Sequence, residues 1–124
     1  MSTFHAVVWM DHSEAHVAMF DREHAQAQRI KSRSHHKHQG KGDDANAFFA
    51  DVAQALHGSH EVLLCGPGLA RNQFRDWCSK HSAAVAATVV DSVAADHPSD
   101  AQLVAMARQY FKKFDNMAAD PSMA

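Results

Sequence analysis

Apolar residues along this chain of 124 residues recur with two rhythms, and the switch between them predicts its elements. Phe4 to Met10 is short, apolar and rich in strand formers, and Asp11-His12-Ser13-Glu14 after it reads as a polar turn. Ala15 to Phe20 is a second such run, turning at Asp21-Arg22-Glu23-His24, and Ala25 to Arg33 predicts a third, more polar strand at an edge or with a wet face. These three segments predict an antiparallel meander. Next comes a helical row, Ala45, Phe48, Phe49, Val52, Ala53 and Leu56, starting at Asp43 or Asp44. His57-Gly58-Ser59 ends it, and Glu61-Val62-Leu63-Leu64-Cys65 has the unbroken apolar pattern of a buried central strand. After the tight turn at Gly66-Pro67-Gly68, a helix carries Phe74, Trp77 and Cys78 inward, with Leu69 and Phe74 spaced as a hydrophobic staple around a cap at Ala70. Ala83 to Val93 predicts the last strand. Ser99 then caps a final helix, with Gln102 as its capping-box partner and Leu103, Ala107, Tyr110, Phe111 and Phe114 as its buried stripe.

The predicted order is β-β-β-α-β-α-β-α. Connection rules make the last two strands parallel additions through helical crossovers. The expected fold class is therefore α/β, a mixed five-stranded sheet in a three-layer arrangement of the ribonuclease H-like kind. Residues 1–114 form a single domain in this reading, and residues 115–124 a flexible C-terminal tail. No internal repeat or interdomain linker is visible. With 46% apolar and 21% charged residues the composition is globular. No stretch approaches the roughly 18 uninterrupted apolar residues of a membrane span, and no basic leader precedes an apolar run at the N-terminus. The expectation is a cytoplasmic protein with no membrane partner. Cys65 and Cys78 lack the spacing of a metal or redox pair and read as reduced core residues.

A formal net charge of -2 hides an uneven distribution. Residues 22 to 41 hold six of the twelve Lys and Arg against one acid, Glu23, whereas ten of the fourteen acids lie beyond residue 41. Within this segment Ser34-His35-His36-Lys37-His38-Gln39-Gly40-Lys41-Gly42-Asp43-Asp44 is almost without apolar side chains. Its glycines permit backbone shapes closed to other residues, and its lysines and histidines supply donors for an anion. A phosphate-rich partner fits, and so does a solvated loop. The candidate RNA-binding residues are Arg33, His36, Lys37, His38, Gln39, Gly40, Lys41 and Gly42. A second candidate for an anion is the turn of Gly66, Pro67 and Gly68 with Arg71, where helix-end N–H groups are exposed, although such glycines also simply serve a strand-to-helix turn. The turn lacks the Gly-Lys-Ser/Thr ending of a phosphate loop.

Enzyme readings have less support. His35-His36-Lys37-His38 has no carboxylate or cysteine at ligand spacing and reads as solvated, so neither metal nor cofactor is expected. Asp11, Glu14, Asp21, Asp91 and Asp96 could be imagined as a nuclease metal cluster, but each falls at a strand end, where acids are ordinary turn residues. No Gly-x-Ser-x-Gly elbow supports a hydrolase triad. Trp9, Phe74, Trp77, Tyr110 and Phe111 fall on predicted buried faces and read as core, not as platforms for stacking bases.

Two motifs in order carry a family resemblance. Cys65-Gly66-Pro67-Gly68-Leu69-Ala70-Arg71-Asn72-Gln73-Phe74 resembles the strand-Gly-Pro-Gly-helix segment in the middle domain of eukaryotic and archaeal class I translation termination factors and Pelota. Lys37-His38-Gln39-Gly40-Lys41-Gly42, before a helix with Phe48 and Phe49, is similar to the loop and helix that carry Gly-Gly-Gln in the termination factors. The resemblance extends over roughly residues 4 to 114. It implies a translation-associated module binding the ribosome, its RNA or tRNA. The departure is that this chain reads Gly40-Lys41-Gly42-Asp43, with its nearby glutamine, Gln39, before the glycines. The leading expectation is accordingly a release-factor-like module without peptidyl-tRNA hydrolysis. The alternative is a stand-alone peptidyl-tRNA hydrolase or ribosome rescue factor using the His35–Asp44 loop, with Gln39 as its catalytic residue. A small-ligand or protein-binding domain unrelated to translation is the third possibility.

Overall fold

Strand-like alternation in the first third of the chain is realised as an antiparallel meander. In the computed structural model, which describes residues 4–21, 23–32 and 41–119, β1 (Phe4–Met10), β2 (Glu14–Phe20) and β3 (Ala25–Lys31) pair in succession. Asp11 and Asp21 close the two hairpins, each carboxylate accepting backbone N–H groups two and three residues on at 2.7 to 2.9 Å. The chain continues through α1 (Lys41–Ala55), β4 (Ser59–Gly66), α2 (Ala70–His81), α3 (Ala83–Ala86), β5 (Val89–Ala94) and α4 (Asp100–Ala119). β4 joins β1 in parallel and β5 joins β4 in parallel, giving a mixed five-stranded sheet of order β3-β2-β1-β4-β5. The expected α/β class and strand directions are thus found.

The pleat divides the apolar side chains between two cores. Ala6, Val8, Met10, Ala15, Val17, Val62 and Leu64 face Phe48, Phe49, Val52 and Leu56 of α1 and Phe74 and Cys78 of α2. The alternate residues Val7, Trp9, Ala18, Phe20, Leu63 and Cys65 face Leu103, Val104, Ala107 and Phe111 of α4. β1 and β4 are covered on both faces, which explains their continuous apolar runs. β3 is an exposed edge, as its polarity predicted. Phe74, fully buried and 5.6 Å from Phe49 between ring centroids, joins α1 to α2. Trp77 adds a hydrogen bond from Nε1 to Asn46 Oδ1 at 3.0 Å. Cys65 and Cys78 are free and buried, and burial pushes their thiols up to about 12 and about 11.

Four local expectations are corrected. α1 starts at Lys41, so Lys41 and Gly42 belong to its first turn and not to the preceding loop. First-turn N–H groups lack intrahelical partners in any helix, so a glycine there breaks no ladder. The segment Ala83 to Val93 is not one strand: Ala83–Ala86 forms the short α3, and the strand begins at Val89. Alanine is the best helix former, and the β-branched run begins only at Thr88. Leu69, not Ala70, occupies the N-cap of α2, and its side chain is 65% exposed, so it makes no staple with Phe74. Finally, α4 continues through Ala119, beyond the Asp115 boundary where a tail was expected. The predicted capping box does form, Ser99 N–H donating to Gln102 Oε1 at 3.0 Å and Gln102 N–H to Ser99 Oγ at 3.2 Å.

Candidate functional site

The carboxyl ends of β1, β4 and β5 lie along one edge of the sheet, together with the start of β2 and the end of β3. The chain leaves β3 there, where Lys31 pairs with Glu14 and Ser32 N–H donates to Ser13 O at 2.7 Å. It returns at Lys41, and the start of α1 is fastened to α2 through Asn46 and Trp77. Arg33, His36, Lys37, His38, Gln39 and Gly40 lie between these points, outside the described residues. Lys41 and Gly42 are placed as helical backbone only.

The glycine turn at the end of β4 is fully described. Gly66 has φ +155°, and a Cβ on it would fall well under 3.0 Å from the Met10 carbonyl oxygen at the end of β1. Two parallel strands converge there as β4 turns into α2, and only a bare backbone fits. Gly68 has open space where a Cβ would go. Pro67, Gly68 and Leu69 are exposed, whereas Arg71 is half-buried and directed back under the turn. Its Nη1 donates to Gly66 O at 3.1 Å and to Gly68 O. Gly66 O also accepts the N–H of Ala95 at 3.0 Å, tying β4 to the segment after β5. Arg71 therefore stabilises the turn by neutralising converging carbonyls, and the candidate anion donor is in use as a clamp. α2 has no side-chain cap and no acid in its first turn.

A second constellation on the same edge was missed in the sequence reading. Glu14 and His16, two apart on β2, share one face, and His97 reaches them from the segment between β5 and α4. Glu14 Oε2 lies 3.6 Å from His16 Nε2 and 3.5 Å from His97 Nε2. The other oxygen of Glu14, Oε1, is 3.8 Å from Arg29 Nε. His16 is 5% exposed, and its Nδ1 bonds Asp100 Oδ1 at 3.1 Å. Its Nε2 is buried without a hydrogen-bond partner. Trp9 holds His97 in place: its Nε1 donates to Ala95 O at 3.3 Å and Asp96 O at 3.0 Å, and its ring lies 4.1 Å from the His97 ring between centroids. The one signal in the sequence was Glu14-x-His16, a spacing that puts both side chains on one face of a strand.

These features define a three-layer α/β domain with a strand-glycine-turn-helix unit at the carboxyl edge of its sheet. Solved structures share this fold. Thermoplasma acidophilum Pelota superposes with a TM-score of 0.63 and 26% identity, over 82% of this chain and 30% of that one. Saccharomyces cerevisiae Dom34, a translation termination-like factor involved in RNA quality control pathways and interacting with Hbs1, gives 0.58 and 13% over 90% and 35%. The archaeal translation termination factor aRF1 gives 0.55 and 12% over 93% and 41%. The resemblance to the Pelota and termination-factor middle domain is thus borne out in the fold, and the chain spans less than half the length of each of these relatives. No protein-family model and no curated protein matches the sequence. Among the described residues no helix is long and apolar enough to cross a membrane.

Proposed function

We propose that this chain is a translation-associated, cytoplasmic module that presents the basic segment between β3 and α1 to ribosomal RNA or the acceptor end of tRNA, without hydrolysing peptidyl-tRNA. The observation that carries the reading is the likeness, over most of the chain, to part of Pelota, of Dom34, a translation termination-like factor, and of aRF1, an archaeal translation termination factor. The charge pattern supports it, since Arg33, Lys37 and Lys41 fall within or beside the segment whose two ends the fold fastens. Phosphate contacts by such residues release counterions and dominate affinity for RNA.

The absence of hydrolysis follows from the departure at the glycines. In the termination factors that the segment resembles, the paired glycines let the loop enter the peptidyl-transferase centre, and the glutamine after them helps to position the attacking water. Here Lys41 stands where the second glycine would, and it begins α1. Gln39 precedes the glycines. A misplacement of about 1 Å can lower a rate on the order of a hundredfold.

Sedimentation with ribosomes from lysate tests the proposal. Association should weaken steeply with salt, and the Arg33→Ala/Lys37→Ala/Lys41→Ala variant should flatten that dependence by up to about three units of slope. No co-sedimentation at low salt, or an unaltered slope in the triple variant, would reject this role for the segment.

A further inference from the structure

The cluster of Glu14, His16 and His97 has the donor set, spacing and supporting shell of a metal site. We propose that these three side chains bind a divalent transition-metal ion of the zinc class through His16 Nε2, His97 Nε2 and Glu14 Oε2, with a fourth position open to water. The proposal revises the sequence-based expectation that the protein holds no metal.

Four observations carry it. First, His16 Nε2 is buried in a residue 5% exposed and has no hydrogen-bond partner. A buried imidazole nitrogen without a partner is costly, and coordination supplies one. Second, Asp100 Oδ1 accepts from His16 Nδ1 at 3.1 Å, which engages that ring nitrogen and turns the other, Nε2, toward Glu14 and His97. A carboxylate behind the imidazole is the usual arrangement at histidine–metal sites. Third, with metal–ligand bonds of about 2.0–2.1 Å, tetrahedral ligands stand about 3.4 Å apart. Glu14 Oε2 is 3.6 Å from one imidazole nitrogen and 3.5 Å from the other, and one ligand atom from each residue lies within 4.8 Å of the other two. Fourth, each ligand is held from outside the cluster. Arg29 faces the second oxygen of Glu14, Trp9 fixes the backbone before His97, and the capping box fixes the helix start bearing Asp100. Glu14 is half-buried and His97 exposed, so the remaining position faces solvent. Two imidazoles and one carboxylate select zinc-class ions over magnesium, which favours oxygen ligands.

The test is calorimetric titration of the full chain with zinc(II), with cobalt(II) absorption as a reporter of tetrahedral geometry. The background variant is His35→Ala/His36→Ala/His38→Ala, which removes the other histidine cluster. One ion per chain is expected in that background, with a tetrahedral cobalt spectrum and no binding of magnesium(II). Glu14→Gln and His97→Ala, at sites not fully buried, should each lower zinc affinity more than 100-fold. Asp100→Asn, which alters the partner of His16 Nδ1, should lower it by about 10–100-fold. No zinc binding in the background variant, or undiminished affinity in both Glu14→Gln and His97→Ala, would overturn the proposal. Equal binding of magnesium(II) would also overturn it.

Discussion

Gly66→Ala tests whether the glycine turn is held together as described. The new methyl group would point into the end of β1, well under 3.0 Å from Met10 O and 3.3 Å from the Met10 carbonyl carbon, both backbone atoms that cannot rotate away. The end of β4 must retreat, and two bonds to Gly66 O are at risk, from Ala95 N–H at 3.0 Å and Arg71 Nη1 at 3.1 Å. Overpacking of this kind costs about 1–3 kcal/mol. Weakening one or two hydrogen bonds adds about 1 kcal/mol. The expected loss is about 3 kcal/mol, a large share of a typical stability of about 5–15 kcal/mol. For a domain of this size that corresponds to a Tm lower by roughly 10 °C. Gly68→Ala is the internal control, because open space surrounds its Cβ position, and a change within about 0.5–1 kcal/mol of zero is expected. Urea unfolding followed by circular dichroism measures both. Equal stability of Gly66→Ala and wild type, or equal losses in the two variants, would refute the close approach of β4 to β1.

Arg71→Met keeps the aliphatic stem and removes the donors to Gly66 O and Gly68 O, so stability should fall by about 1–2 kcal/mol while the salt dependence of ribosome binding stays unchanged; a slope lower by about one unit would make Arg71 a phosphate contact instead. Cys65 and Cys78 should resist alkylation at pH 8 in the native protein and react on unfolding, because burial holds their thiols at about 12 and about 11. Their folded values lie above the unfolded value of 9.0, so their contribution to stability is complete below pH 9 and is lost as pH rises to about 11–12. Cys65→Ala/Cys78→Ala should therefore flatten the alkaline fall in stability measured by denaturant titration, and an equally steep fall would count against the assignment and point instead to groups such as Tyr110, also raised by burial.

Much of the fold was legible because the chain is locally consistent. Glu61 to Cys65 read as a buried central strand, and Val62 and Leu64 do enter one core while Leu63 and Cys65 enter the other. Ser99 and Gln102 announced the start of α4 by chemistry that acts over three residues. Where several weak preferences competed, the sequence misled. Ala83 to Val93 mixes a helix former with a strand former, and the boundary was set by which residue reached the core, Val85 from α3 and Val89 from β5. Leu69 was expected to staple to Phe74 around a cap at Ala70, but Leu69 is itself the N-cap and its side chain is exposed. The Gly66 requirement itself was hidden, since it arises from Met10 on a strand more than fifty residues earlier. The Glu14–His16–His97 cluster was hidden for the same reason. β5 lies at one edge of the sheet, and the chain must cross β4 and β1 to reach α4, which brings His97 over β2.

We propose that the chain binds the translation apparatus without cleaving the ester of peptidyl-tRNA. Single-turnover peptide release from peptidyl-tRNA on ribosomes, with wild type and Gln39→Ala at saturating protein, decides between binding alone and hydrolysis. Neither protein is expected to release peptide above the rate without factor. Release by wild type that disappears in Gln39→Ala would contradict the proposal and make the segment before α1 a catalytic loop.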